Sequence, residues 1–382
     1  MADKYFRSTV LNVDLEAITN NYKVLEEMHP NKTMMPVVKA NSYGLGSIMI
    51  ANHLKTLGAS FFCVATLDEA IELRMHGIRE KILILSSIPP HAINKAIQHR
   101  VAIAAPSKEW LEETIQHIDD SSEKTVWLHI KLDTGMNRLG IKDEQTYQDM
   151  INMIHEHPNL VFEGAFSHFS SADEDNETSK KQYARFESLI ESAERPAYVH
   201  IQNSAGTLRF KSDLCNAFRP GIALYGYYPS AFVENNTKAI LKPSAQLVSE
   251  VTQVKKVNKG EVIGYSETYV ADEEMYVALI PIGYADGCLR NMQGSKVNVA
   301  GTQCEVVGRV SMDQTAIRVP KETKLGDKVI ILESQSHHPQ SLETIASKQQ
   351  TISYEVLCNF GRRIPRVYHY KQNIEISNEL LK

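Results

Sequence analysis

The chain has 382 residues, 43% hydrophobic and 23% charged, with a formal net charge of -5. That composition belongs to folded globular proteins, the length exceeds one ordinary core, and the charge leaves no basic footprint for nucleic acid or an anionic membrane. The five cysteines (Cys63, Cys215, Cys288, Cys304 and Cys358) are scattered and never form a C-x-x-C pair, which argues against a disulfide framework or zinc site and for reduced thiols.

The opening stretch MADKYFRSTVLNVDLEAI lacks the apolar core of a signal peptide. Apolar runs such as Lys81–Ser86 are far too short to span a bilayer, so a cytoplasmic protein is expected. Eight short apolar or β-branched runs then follow one another: Met34–Val38, Phe61–Ala65, Ile82–Ser86, Val101–Ala104, Val126–Leu132, Phe162–Phe166, Tyr198–Ile201 and Phe218–Leu224. Helical patterns separate them. Thr66 with Glu69 spells a capping box, and Gly77 stands where a glycine would end that helix. Ser107 opens a similar pattern through Leu111 and Ile115. Strands that read as continuous apolar runs between helices predict a parallel sheet buried on both faces. Eight such units match the size of a (β/α)8 TIM-like barrel, with a doubly wound open sheet as the alternative.

After Pro243 the texture changes to short alternating runs: Ala245–Val254, Met275–Ile280, Lys296–Ala300, Cys304–Val310, Thr315–Val319 and Lys328–Leu332. This predicts a barrel domain over 1–242 and a mostly β domain over 243–382, the first ~12 residues being candidates to pack with the second domain.

Unusual polar residues fall just after the barrel strands: Lys39, then Lys131 with Arg138, then His168, then Asn203-Ser204, then Arg219 with Gly221-Ile222. In a barrel all reach the C-terminal mouth, where active sites are built and where a phosphate pocket usually follows the seventh and eighth strands. Small residues there let backbone N–H groups approach a phosphate. Each signal is weak alone. A lone lysine after a strand is usually solvated, and a lone histidine is usually structural. Gly44-Leu45-Gly46 is neither a dinucleotide fingerprint nor a Walker loop. His337-His338 lacks matched carboxylates or cysteines, so no metal site is expected, and no G-x-S-x-G elbow supports a serine hydrolase. Taken together, a lysine, a phosphate cup, an arginine and a histidine suggest a carbonyl cofactor held covalently. Lysine forms a Schiff base with pyridoxal 5'-phosphate, which serves as an electron sink.

The segment Val37–Gly44 resembles the cofactor-lysine signature of the alanine racemase family. Lys131–Gly140, Phe218–Leu224, Gly264–Ser266, Pro281–Gly287, Gly308–Gln314 and the run around Tyr354 match in the family's order and spacing. Ser42 and Leu45 depart from the family's common residues at positions flanking the signature. The resemblance implies interconversion of L- and D-alanine through a pyridoxal-phosphate external aldimine, supplying D-alanine for peptidoglycan. It implies a homodimer with shared sites, in which Lys39 is the base on one face of the substrate Cα and Tyr265 of the other subunit is the base on the opposite face. It assigns Tyr43, Ser204, Gly221, Ile222 and Tyr354 to the phosphate, Arg219 to the pyridine nitrogen, and His168 to a bridge between Arg219 and Tyr265. It places Arg138 near the phenolic oxygen and the substrate, the Met312 N–H at the substrate carboxylate, and Asp313 in support. Lys131 matches a lysine often carbamylated. Asn203, beside Ser204, belongs to the same cofactor cup. Alternative readings are a racemase of broader specificity, a pyridoxal-phosphate decarboxylase of the same fold, or a non-catalytic cofactor carrier. Arg219, where decarboxylases place an acid, and Tyr265 oppose the decarboxylase, and the second domain carrying Tyr265 and Met312 opposes the carrier.

Overall fold

The computed structural model describes residues 4–119 and 125–381. They divide into two compact units. One comprises Thr19–Ser42 and Ser47–Leu241; the other gathers the N-terminal residues to Ile18, Tyr43–Gly46, and the chain from Lys242 onward.

The first unit is the barrel. Its strands are Thr33–Met34, Phe61–Val64, Lys81–Ile84, Ala102–Ala105, Val126–Lys131, Leu160–Phe166, Tyr198–His200 and Ala217–Phe218. The second through seventh form one continuous ladder, and the first pairs in parallel with the eighth. Backbone bonds outside these ladders close the circle. On one side Cys63 N donates to Pro36 O at 2.8 Å and Val38 N donates to Cys63 O at 2.9 Å. On the other, Asn216 N donates to Val199 O at 3.1 Å and Arg219 N to Gln202 O at 2.9 Å. Every residue of Phe61–Val64 and Ala102–Ala105 is buried, the pattern of strands covered on both faces. The helix Leu67–Met75 begins with the Thr66/Glu69 capping box read from the sequence, and Gly77 follows its end with φ 87°. Ser107 caps Lys108–Gln116 through a bond from Trp110 N.

Several strands end differently from expectation: Met34–Val38 gives way to Thr33–Met34, and Cys304–Val310 to Thr302–Val306. Two others differ for a plain physical reason. Phe218–Leu224 is extended only at its start: Pro220 has no N–H to give a ladder, and Ile222–Tyr225 forms a 3-10 turn. Ala245–Val254 breaks after Glu250, because Ala245–Glu250 pairs with Lys328–Leu332 whereas Gln253–Val257 pairs with Met275–Ile280.

The second unit holds a ten-stranded sheet. Val10–Asp14 lies within it, antiparallel to Ala245–Glu250 and parallel to Arg366–Tyr370. Among the described residues no helix is long and apolar enough to cross a membrane.

Candidate active site

Lys39 follows the first barrel strand and is itself followed by an unusual turn. Ala40, Asn41, Ser42 and Tyr43 all occupy the left-handed region, with φ of 51°, 54°, 51° and 56°. Left-handed backbone costs an L-residue about 1–2 kcal/mol, so such a turn persists only where its surroundings hold it. Three bonds do so in the barrel unit. Ala40 N donates to Glu69 Oε1 at 2.7 Å, Ser42 N to Val38 O at 2.9 Å, and Ser47 N to Asn41 Oδ1 at 2.8 Å. Glu69 Oε2 meanwhile accepts from Ala65 N and Thr66 N. The carboxylate that caps a helix thus also fastens the lysine turn.

The second unit holds Tyr43–Gly46 just as firmly. Arg366 donates from Nε and Nη2 to Gly44 O at 3.0 and 2.8 Å, and Tyr368 OH donates to Leu45 O at 2.9 Å. A Cβ on Gly44 would stand 2.4 Å from Leu357 O, at a φ of 82° that L-residues rarely adopt. The rings of Tyr43 and Tyr354 lie 6.0 Å apart.

Around His168, in the barrel unit, positive charge gathers. Burial, then the charges of Arg219, Lys131, Arg138 and Lys39, hold this imidazole well below 6.5. Lys131 is buried too, and burial followed by Arg219 and Arg138 pushes its amine well below 10.5 against the pull of Asp133. The Phe166 ring centroid lies 4.5 Å from Lys131 Nζ and 5.2 Å from the Arg219 guanidinium carbon. Asp133 accepts from the N–H groups of Gly135 and Asn137 and stands 3.8 Å from Lys142. The charged groups that act on His168 are all basic, which makes the site short of negative charge. The donor set suits an anionic cofactor bearing phosphate and an anionic substrate, so these residues fit pyridoxal phosphate.

Arg219 is buried. Burial pulls it down to about 10, so it stays charged near neutrality. It donates through Nη1 to His200 Nδ1 and through Nη2 to Ser167 O at 2.8 Å. A longer contact of 3.4 Å joins Nη2 to His168 Nδ1, and Asn203 Nδ2 stands 3.4 Å from His168 Nε2. A neutral imidazole accepts at only one nitrogen, so these two contacts cannot both be hydrogen bonds.

Asn203 Oδ1 accepts from Gly206 N at 2.9 Å and caps Ser204–Arg209. Ser204 Oγ accepts from Gly221 N at 2.8 Å and Ala223 N at 3.3 Å, so Ser204 and Gly221 are bonded to each other. Ile222 opens the adjoining 3-10 turn.

In the second unit Tyr265 is 64% exposed, between Gly264 and Ser266 with φ of 78° and 57°. It lines a cavity of about 340 Å3 with Arg309, Ser311 and Gln314. Met312 is also exposed; its carbonyl accepts from Ala285 N at 3.0 Å, and Asp313 accepts from Arg363 at 2.8 Å.

Sequence reading alone missed Glu69's second role, Arg366, Tyr368, Phe166 and His200. A weak signal existed for Arg366 and Tyr368, whose i, i+2 spacing puts them on one face of a strand.

The family model described as "Alanine racemase, N-terminal domain" matches residues 13–229, and "Alanine racemase, C-terminal domain" matches 244–368. The chain belongs to the alanine racemase family. It is similar to the alanine racemase of Staphylococcus saprophyticus, 56% identical over 382 residues covering all of both chains. Among solved structures it is similar to the alanine racemase of Bacillus anthracis with bound L-Ala-P, with a TM-score of 0.94 and 37% identity over 99% of each chain. The alanine racemase from E.faecalis gives a TM-score of 0.90 and 40% identity over 95% of this chain and 98% of that one. Membership makes the protein a pyridoxal-phosphate-dependent racemase, an isomerase with a barrel domain and a mostly β domain.

Proposed function

We propose that the protein interconverts L- and D-alanine with two bases, in the cytoplasm, as a homodimer that supplies D-alanine for peptidoglycan. The observation that carries this reading is that Arg219, Lys131, Arg138 and Lys39 all act electrostatically on the buried His168, in a chain of this family.

Lys39 would hold the cofactor through Nζ. Ser204, Gly221 and Ile222 would bind its phosphate. Pyridoxal phosphate, when bound, supplies an electron sink for the pair left on the substrate Cα. Lys39 moves a proton on one face of that carbon, and Tyr265 of a second copy of the chain moves it on the other. Inversion by proton transfer needs a base on each face. A free phenol titrates near ~10, so Tyr265 needs its anion stabilised, a task that falls to His168 and, behind it, Arg219. Arg219 keeps its protons near neutrality and so leaves the ring nitrogen unprotonated. This limits the lifetime of charge at Cα and keeps reprotonation there. Arg138 binds the substrate carboxylate, and Asn203 shapes the cup by capping its helix. In the second unit the Met312 N–H is offered to a substrate carboxylate, and Asp313 supports that turn through Arg363.

The test is incubation of the purified protein with L-alanine in D2O. D-alanine carrying deuterium at Cα is the expected product, and Lys39→Ala should form almost none. Turnover in Lys39→Ala equal to the unmodified protein would overturn the assignment.

A further inference from the structure

Behind Arg219 a string of buried polar groups crosses the barrel interior, and its hydrogen bonds run in one direction. Arg219 can only donate, so His200 Nδ1 must accept from Nη1. That leaves the His200 proton on Nε2, which lies 2.9 Å from His129 Nδ1. His129 Nδ1 therefore accepts, its proton sits on Nε2, and Nε2 lies 3.1 Å from Glu163 Oε2. The Lys81 ammonium donates to the other carboxylate oxygen, Oε1. Both histidines are fully buried and Glu163 nearly so. Read outward from Arg219, each group donates to the next until the string ends on an anion.

The backbone is built to admit this string. Val126–Lys131 and Leu160–Phe166 pair as Leu128 with Phe162 and then His129 with Gly164, leaving Glu163 as the extra residue of a bulge. Bulges re-aim side chains, and this one turns a carboxylate into a strand interface that period-2 alternation would not give it. Gly164 is part of the same arrangement, because a Cβ there would stand 2.2 Å from His129 Nδ1. Phe166 stacks on His200 at 5.0 Å and fixes the ring plane. Burial, and then the charge of Arg219, keep His200 neutral; burial, joined by the charges of Lys81 and Arg219, lowers His129 despite Glu163. For Glu163 burial opposes ionisation, but the bonds from His129 and Lys81 outweigh it and hold the carboxyl below its usual range. The far end of the string opens on a cavity of about 580 Å3, lined by Glu163, Lys81, Arg74, Arg79 and Arg100.

We infer that Glu163 is the remote counter-anion and a positioning residue for Arg219, acting through His129 and His200 by fixing both of their protons on Nε2. Among the described residues no carboxylate pairs with Arg219 directly. The string supplies that missing charge at a distance. A carboxylate in contact could take up a proton beside the cofactor ring; two neutral imidazoles keep it away while still giving Arg219 a fixed acceptor. The inference rests on the proposed role of Arg219 toward the ring nitrogen only in its catalytic consequence. The proton positions are independent of that role.

Neutron diffraction from deuterium-exchanged crystals of the cofactor-loaded enzyme tests the proton positions. Deuterium on Nε2 of both histidines, none on either Nδ1, and a bare Glu163 carboxylate are expected. Deuterium on His200 Nδ1, a doubly protonated imidazole, or a protonated Glu163 would overturn the inference whether or not the protein racemises alanine. The catalytic consequence is read in Glu163→Gln, whose amide removes the anion at nearly constant volume. Losing one charge-assisted bond in the string should lower kcat about tenfold with little change in KM, and raise the ratio of pyruvate formation to racemisation. Lys81→Met leaves the acceptor in place and should change kcat less than threefold, given the half-exposed Lys81 side chain. An unchanged ratio in a folded Glu163→Gln, or an equal loss in both variants, would count against the positioning role. Should Glu163→Gln not fold, the diffraction result on the unmodified enzyme decides.

Discussion

At the scale of single residues, the site is governed by what burial does to charge. Lys131 sits beside Arg219 and Arg138, and burial with their repulsion drives its amine toward the neutral form. A neutral amine is nucleophilic, and its reaction with carbon dioxide gives a carbamate whose negative charge answers both arginines. We therefore predict that 13C-labelled carbon dioxide adds a carbamate resonance to the protein's carbon spectrum, and that Lys131→Ala lacks it. No difference between the two spectra would refute the modification. His129, His168 and His200 are all held below 6.5 in the folded chain, burial being the first cause in each. A group whose folded value is depressed binds more protons when unfolded. Stability is therefore highest above 6.5 and falls as pH drops below it, by up to about 1.4 kcal/mol per pH unit for each histidine. Urea unfolding at pH 7.5 and 5.5 should show a clearly lower midpoint at 5.5. Equal midpoints would mean that these imidazoles do not stay neutral. The gathering of Lys39, Lys131, Arg138, His168 and Arg219 at one barrel mouth was legible in the sequence, whereas the burial that depresses these groups and the pairing of His129 with His200 were not.

At the scale of elements, the strands, the capping box and the mouth of the barrel could be read because each is local. Apolar runs mark strands, and Thr66 with Glu69 three residues on marks a helix start. The left-handed turn at Ala40–Tyr43 could not be read, since none of its residues is glycine and only Asn41 tolerates that conformation readily. Its cause lies 29 residues away, in a glutamate that the helix already accounts for. The bulge at Glu163 was hidden for a similar reason: the register shift that makes it belongs to two strands and not to one. Because Glu69 serves both the helix and the lysine turn, its removal should cost more than a cap. Loss of a capping residue typically costs ~1 kcal/mol, and here the Ala40 N–H would also lose its acceptor. We expect Glu69→Ala to lose about 2 kcal/mol of stability and to bind pyridoxal phosphate more weakly, whereas Thr66→Ala should lose only the cap and keep cofactor affinity. Titration of the two apo variants with cofactor separates these outcomes; equal affinities would show that Glu69 does not hold the turn.

At the scale of the whole molecule, the change of texture after Pro243 was visible in the sequence, and the N-terminal residues were candidates to pack with the second domain, but their forming the strand Val10–Asp14 inside its sheet was not legible. Its ladder partners, Ala245–Glu250 and Arg366–Tyr370, lie more than 230 residues along the chain. The remaining question at this scale is which chain supplies the second base. Tyr265 and Met312 are exposed on their own unit, as residues that serve another copy of the chain must be before assembly. In a two-fold pair each chain would give Lys39 to one site and Tyr265 to the other. Lys39→Ala and Tyr265→Ala chains, each nearly inactive alone, can therefore be refolded together. A mixed dimer then holds one site with both lesions and one with neither. Random pairing makes half the dimers mixed, so roughly a quarter of all sites should regain normal chemistry. If Tyr265 instead served its own barrel, every site would carry one lesion and nothing would return. The fraction of mixed dimers can be fixed independently by tagging the two chains differently and purifying through both tags. That doubly tagged fraction should show about half the specific activity of the unmodified enzyme. Activity no higher than that of the parents, in a fraction proven to be mixed, would refute sharing of the site between chains.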